Sequence, residues 1–278
     1  MKPVYTLIGG DARQRYLAQA LAAAGFAVHW CGVPGLCDTD DSLSSAVREA
    51  DAVVLPMPAL QGELSVRGEA PVPLQSVLEA MPRGAVLLGG MLEPARGMLD
   101  ASGIRWIDYA ADEALQIENA ALTAEAALSL AMRELPGTIS GARALVIGFG
   151  RIGTHLCRLL AALGASVTAS ARRPEDFARL RAMQLRPEVT RVYQHGLRAY
   201  DLIVNTVPAY VLTEQQLLSC KEGCVYLELA SKPGGLSSPP PAHIRAVDGR
   251  GLPGKYAPEA AARIILRTLL RLGPGGET

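Results

Sequence analysis

No run of about 18 consecutive apolar residues occurs in this 278-residue chain, although 49% of it is apolar, which argues against a membrane-spanning helix. The opening Met1-Lys2-Pro3-Val4-Tyr5 lacks the regions of a signal peptide and enters a strand-like run directly, so a cytoplasmic protein is expected. Net charge is also absent, with 27 Lys+Arg against 27 Asp+Glu, and a generally basic nucleic-acid surface is not expected. Cysteines 31, 37, 157, 220 and 224 are odd in number and form no CxxC pair, so neither a disulfide framework nor a zinc site follows, and buried, reduced thiols are expected. Histidines 29, 155, 195 and 243 show no HExxH spacing, so structural roles are expected and no metal. Lysine is scarce, at 2, 221, 232 and 255, so Lys232 and Lys255, both beside glycines, stand out.

What is present is enough chain for two domains of ordinary size. Residues 1 to 112 hold 8 basic and 13 acidic side chains, the remainder 19 and 14, so the second part better suits an anionic ligand. Short apolar runs alternate with amphipathic stretches: 4 to 8, 12 to 24, 26 to 31, 43 to 50 and 52 to 55, with further strand-like runs at 85 to 88 and 104 to 109. This predicts a parallel sheet covered on both faces. Residues 112 to 135 read as one Ala-, Leu- and Glu-rich helix stopped by Pro136-Gly137. A second alternation follows: strands 144 to 147, 166 to 169, 202 to 205 and 225 to 229, helices 151 to 163 and from 174, then loops rich in Gly and Pro at 232 to 241 and 249 to 258 and a last helix over 258 to 272. The expected architecture is α/β, with two doubly wound parallel-sheet domains. A substrate domain spans 1 to 112 and regains helix 258 to 272; a bridging helix spans 113 to 135; a dinucleotide-binding Rossmann domain spans 136 to 257.

Gly148-Phe149-Gly150-Arg151-Ile152-Gly153 is a GxGxxG placed after an apolar strand and before a helix, the context that gives this otherwise weak motif meaning. The first Gly permits a tight turn, the second lets backbone approach a pyrophosphate, and the third lets helix pack on strand. In NAD enzymes an acid about 20 residues on binds the ribose 2′-hydroxyl. Here Ala169-Ser170-Ala171-Arg172-Arg173 holds none, and Arg172 and Arg173 suit a 2′-phosphate, so NADP is favoured, with NAD as the alternative. Asn205, Thr206 and Pro208, in Asn205-Thr206-Val207-Pro208, follow another strand of this sheet and are candidates to line the nicotinamide half; a plain turn is the alternative.

Several ordered segments resemble the dipicolinate synthase A-subunit family along nearly the whole chain: Ile8-Gly9-Gly10-Asp11-Ala12-Arg13-Gln14, Val54-Leu55-Pro56-Met57-Pro58, Thr123-Ala124-Glu125, residues 146 to 153 and 205 to 208, Leu229-Ala230-Ser231-Lys232-Pro233-Gly234-Gly235, and Gly251-Leu252-Pro253-Gly254-Lys255-Tyr256-Ala257-Pro258. The resemblance implies NAD(P)-dependent oxidation of dihydrodipicolinate to dipicolinate during endospore formation, in the mother cell, with the flavoprotein-like B-subunit of dipicolinate synthase as partner. Leu122, Ala126 and Glu259-Ala260 depart from the family pattern, which bears on substrate geometry more than on fold or cofactor.

Such a reaction needs cations for two carboxylates and an acceptor for a proton. Arg13, as a bidentate clamp, and Lys232 and Lys255, as point charges, are the candidate anchors. Glu125 on the bridging helix, desolvated with a raised pKa, is the first candidate base and Asp11 the second, although Asp11 could simply cap the first helix. Two alternatives remain. One is a two-domain dehydrogenase of the 2-hydroxy acid or alanine type, whose usual catalytic His is missing from any motif here. The other is a nucleotide-binding subunit without turnover. Homo-oligomerisation is left open.

Overall fold

The computed structural model describes residues 2–40, 42–193 and 196–274; His195 lies outside them. The chain forms two compact units, one made of residues up to Asn119 together with those from Pro253 onward, the other of Ala120–Leu252. In the first unit the order is β1 (Val4–Ile8), α1 (Ala12–Ala23), β2 (Ala27–Cys31), α2 (Leu43–Val47), β3 (Ala52–Val54), the two-residue strands β4 (Leu60–Gln61), β5 (Ser65–Val66) and β6 (Val72–Pro73), α3 (Leu74–Ala80), β7 (Val86–Gly89), α4 (Arg96–Ser102) and β8 (Arg105–Asp108). Five strands form a wholly parallel sheet in the order β2-β1-β3-β7-β8, and β4, β5 and β6 form a small antiparallel sheet.

Helices of this unit bury apolar stripes in its core. Leu17 and Leu21 of α1 are fully buried, and Val77 and Leu78 of α3 join a core with Val53, Leu55 and Leu87. Helix α1 starts at Asp11, whose carboxylate accepts from the Arg13 N–H at 3.0 Å, supplying an orphan amide of the first turn with a partner. Helix α5 (Glu113–Glu134) contributes its first turns to this unit, and the final helix α10 (Pro258–Leu272) packs against α1.

The second unit runs β9 (Arg143–Ile147), α6 (Arg151–Ala162), β10 (Ser166–Ala171), α7 (Pro174–Ala182), β11 (Arg186–Val189), β12 (Leu202–Asn205), α8 (Glu214–Leu218), β13 (Val225–Glu228) and β14 (Arg245–Asp248). All pairings are parallel, in the order β11-β10-β9-β12-β13-β14. The strands' period of two divides the core. Ala144, Val146, Leu202, Val204, Val225 and Leu227 meet α6 and the Ala124, Ala127 and Ala131 face of α5, while Leu145, Ile147, Ile203 and Tyr226 face Leu217 and Tyr193 on the other side. The strand order is that of a dinucleotide-binding fold, with its reversal between β9 and β12.

Three readings of the sequence need correction here. Residues 249 to 258 are not a continuous loop, because α9 (Leu252–Tyr256) forms within them and carries Lys255. Cys37 is exposed and Cys31 only half-buried, since both lie at the outer edge strand β2 and the turn after it; Cys157, Cys220 and Cys224 are buried. Helix α2 ends at Val47 rather than at residue 50.

Candidate dinucleotide site and its surroundings

The glycines of the fingerprint differ in what surrounds them. Gly148 has φ +97°, and a Cβ there would lie 2.5 Å from Thr206 Oγ1, so backbone conformation and neighbour both demand glycine. A Cβ on Gly153 would collide with the Gly148 carbonyl oxygen, which fixes the approach of α6 to the turn. A Cβ on Gly150 would meet nothing within 4 Å. That open space borders the first residue of α6, where Gly150 caps the helix without a side-chain hydrogen bond, leaving amides and the positive dipole end to meet a diphosphate. The residues therefore fit a dinucleotide. Phe149 and Gly153 are buried, Ile152 is half-buried and Arg151 is exposed.

The other cofactor candidates divide. Ser170 is fully buried beneath the turn, its Oγ accepting from Thr190 Oγ1 at 3.0 Å and lying 3.4 Å from the Gly148 amide. Arg172 is exposed. Arg173 is exposed too, but its guanidinium makes a two-pronged pair with Asp176, at 2.8 and 3.0 Å. Asn205 is buried, with Nδ2 donating to the Val207 carbonyl at 2.9 Å and to Glu228 Oε1 at 2.8 Å. Thr206 Oγ1 donates to the Ile147 carbonyl, and Pro208 is exposed.

The sequence reading missed Glu228. Its carboxylate accepts from Asn205 Nδ2, from the Tyr226 hydroxyl at 2.7 Å, and from the amides of Ala230 at 3.0 Å and Gly235 at 2.7 Å. This one side chain pins the Ser231-Lys232-Pro233-Gly234 loop to the carboxyl edge of the sheet. Burial, then the adjacent Glu228 charge and hydrogen bond, pushes the Tyr226 hydroxyl well above its usual pKa, so it stays a donor throughout the physiological range. A lone acid inside the otherwise apolar run 225 to 229 was the available signal.

In the first unit Gly9 (φ +62°) and Gly10 (φ +96°) turn the chain from β1 into α1. Arg13 is buried and grips Asp11 through Nε–Oδ1 at 2.9 Å and Nη2–Oδ2 at 2.6 Å. Partial burial works to raise the Asp11 pKa, but the Arg13 hydrogen bonds and charge, with the Arg67 charge, hold it below the usual carboxylate value. Asp11 is thus a helix cap and an ion-pair partner. Glu125 is exposed rather than desolvated, because it lies on the α5 face opposite the buried Ala124 and Ala127. Lys232 and Lys255 are both exposed. Among the described residues no group of three or more His, Cys, Asp or Glu side chains could hold a metal ion, and no helix is long and apolar enough to cross a membrane.

Two doubly wound parallel sheets, one with a complete dinucleotide turn at its strand-order reversal, define a protein of the nicotinamide-dinucleotide-binding, dehydrogenase-like class. Comparison with known families agrees: residues 4–110 match the N-terminal domain of the dipicolinate synthase A-subunit, and residues 115–227 match the NAD binding domain of D-isomer specific 2-hydroxyacid dehydrogenases. The dipicolinate synthase A-subunit of Bacillus subtilis is 30% identical over 96% of this chain and 94% of its own length. The chain belongs to the dipicolinate synthase A-subunit family. Crystal structures of family members from Bacillus halodurans (TM-score 0.85, 27% identity, 97% of each chain) and from B. subtilis (0.82, 28%, 98% and 96%) share its fold. So does a transhydrogenase from Sinorhizobium meliloti, at 16% identity and a TM-score of 0.70 over 95% of this chain and 92% of that one, a likeness of fold alone.

Proposed function

We propose that this chain oxidises dihydrodipicolinate to dipicolinate with NADP, working beside a second, flavoprotein-like subunit. The observation that carries the redox half is the open space at Gly150 facing the uncapped start of α6, between glycines that tolerate no side chain. Family membership supplies the substrate half. When bound, the nicotinamide supplies the hydride acceptor. The protein's part is to hold the diphosphate on the α6 amides and to orient the ring by the turn that Thr206 and Asn205 brace.

Arg172 is the better placed 2′-phosphate ligand, since Arg173 is already engaged with Asp176. Loss of a ring proton completes aromatisation. Asp11, held ionised by Arg13, is a weak base for it, so we assign the proton to Glu125 or to water; the reaction is downhill, and positioning counts for more than basicity. The anchoring roles of Lys232 and Lys255 stand as proposals, each tested by its Ala variant. Incubating the purified chain with NADP and dihydrodipicolinate, and following nucleotide reduction, tests the activity. Nucleotide binding without turnover, whether or not the flavoprotein-like partner is added, would favour a sensing role. Titrating NADP and NAD into wild type and Arg172→Ala tests the cofactor: NADP should bind more tightly, and the variant should lose that preference. Equal wild-type affinities would count against it.

A further inference from the structure

The first sheet has its own reversal of strand order, since β1 leads outward to β2 while β3 lies on its other side. Open parallel sheets bind ligands outside the carboxyl ends of the strands at such a point. There the Gly9–Gly10 turn leaves β1, and the small antiparallel sheet lays a second turn over it. The Gly10 N–H donates to the Arg67 carbonyl at 2.6 Å, the Arg67 N–H donates to the Ala59 carbonyl at 2.8 Å, and a Cβ on Gly68 would lie 3.2 Å from Gly9 Cα.

Two guanidinium groups belong to these turns, and their circumstances differ. Arg13 is buried and both prongs of its fork are spent on Asp11, so each cancels the other's charge. Arg67 is exposed, and no ion pair or side-chain hydrogen bond engages it among the described residues. Its charge is felt at Asp11, so it acts on the same point of the sheet edge. We propose that Arg67, not Arg13, anchors one carboxylate of the substrate at this reversal of strand order, a role that rests on the dipicolinate reading above. A planar fork of N–H donors matches a carboxylate in two-pronged fashion. The turn itself is held by the main chain of residue 67, so the side chain is free of structural duty.

Calorimetric titration of dipicolinate into the full-length, NADP-loaded protein tests this, with Arg67→Ala and Arg67→Lys beside wild type. Arg67→Ala should bind dipicolinate roughly 10-fold or more weakly, as for a lost charge-assisted contact. Arg67→Lys should fall between, and NADP affinity and melting temperature should not move. Wild-type affinity for dipicolinate in Arg67→Ala overturns the role of Arg67 and leaves the dipicolinate reading standing. A wild type that binds NADP but neither binds dipicolinate nor turns over its dihydro form overturns both. Should Arg67→Ala melt early, Arg67→Gln, nearly the same length without the charge, decides by the same criterion.

Discussion

Gly150 and Gly153 are two residues of one motif with opposite structural demands, and that difference separates binding from folding. An added methyl on Gly150 enters open space at ordinary φ, so Gly150→Ala should keep the wild-type melting temperature while NADP affinity falls at least about 10-fold, or ~1.4 kcal/mol. The same methyl on Gly153 strikes the Gly148 carbonyl, so Gly153→Ala should cost about 1–3 kcal/mol of stability, as overpacking does. Thermal melts and nucleotide titrations of the pair check this; a destabilised Gly150→Ala would show that the space is not open. Glu228 makes a third case. All four of its partners are donors, and a Gln amide nitrogen cannot accept, so Glu228→Gln should leave at least one donor opposed and cost about 1–3 kcal/mol. Chemical denaturation of that variant measures the cost directly.

Among the elements, α10 shows how a distant segment completes a unit. Its Ile265 and Leu269 are buried, and the helix lies on α1. Leu269→Ala should therefore cost about 2–5 kcal/mol, the range for a buried leucine. The helix end is also tied by charge, because Arg271 reaches Asp112 through two contacts at 2.9 and 2.8 Å. That pairing, helped by hydrogen bonds from the Leu115 and Ala114 amides and opposed by burial, holds the Asp112 carboxyl below its ordinary pKa. A depressed carboxylate pKa stabilises the fold above the unfolded value of about 3.9 and loses its contribution as pH falls through the folded value. The stability gap between wild type and Arg271→Gln should thus be present at neutral pH and close in acid; urea midpoints at both conditions report it. The same elements show what a single sequence discloses. Central strands such as β9 and β12, buried on both faces, carry the unbroken apolar runs 144–147 and 202–204 and were legible. The edge strands β11 and β14 read Arg-Pro-Glu-Val and Arg-Ala-Val-Asp, since one side of an edge strand faces solvent and tolerates proline and charge. Two-residue strands like β5 are too short to show a period, which hid the turn that carries Arg67. Glu228 was hidden for another reason: its partners come from three separate segments.

At the scale of the molecule, the proposed dinucleotide and carboxylate sites fall on different units and would answer to different ligands, and exchange of backbone amides can tell them apart. A ligand that binds only the folded form stabilises it by mass action, by about 2.7 kcal/mol at a hundred times its dissociation constant. Amides that meet the ligand, or whose opening would release it, slow accordingly. NADP should therefore slow exchange at residues 148–154, where the turn and the first amides of α6 face the open space beside Gly150, and Gly150→Ala should weaken the effect at the same NADP concentration. Dipicolinate, added to the NADP-loaded protein, should slow exchange at residues 9–14 and 66–68, whose main chains are joined by the Gly10–Arg67 hydrogen bond. Saturating NADP that left residues 148–154 unchanged would remove the dinucleotide assignment from this turn. Dipicolinate protection confined to Ala120–Leu252 would instead move the carboxylate site away from Arg67.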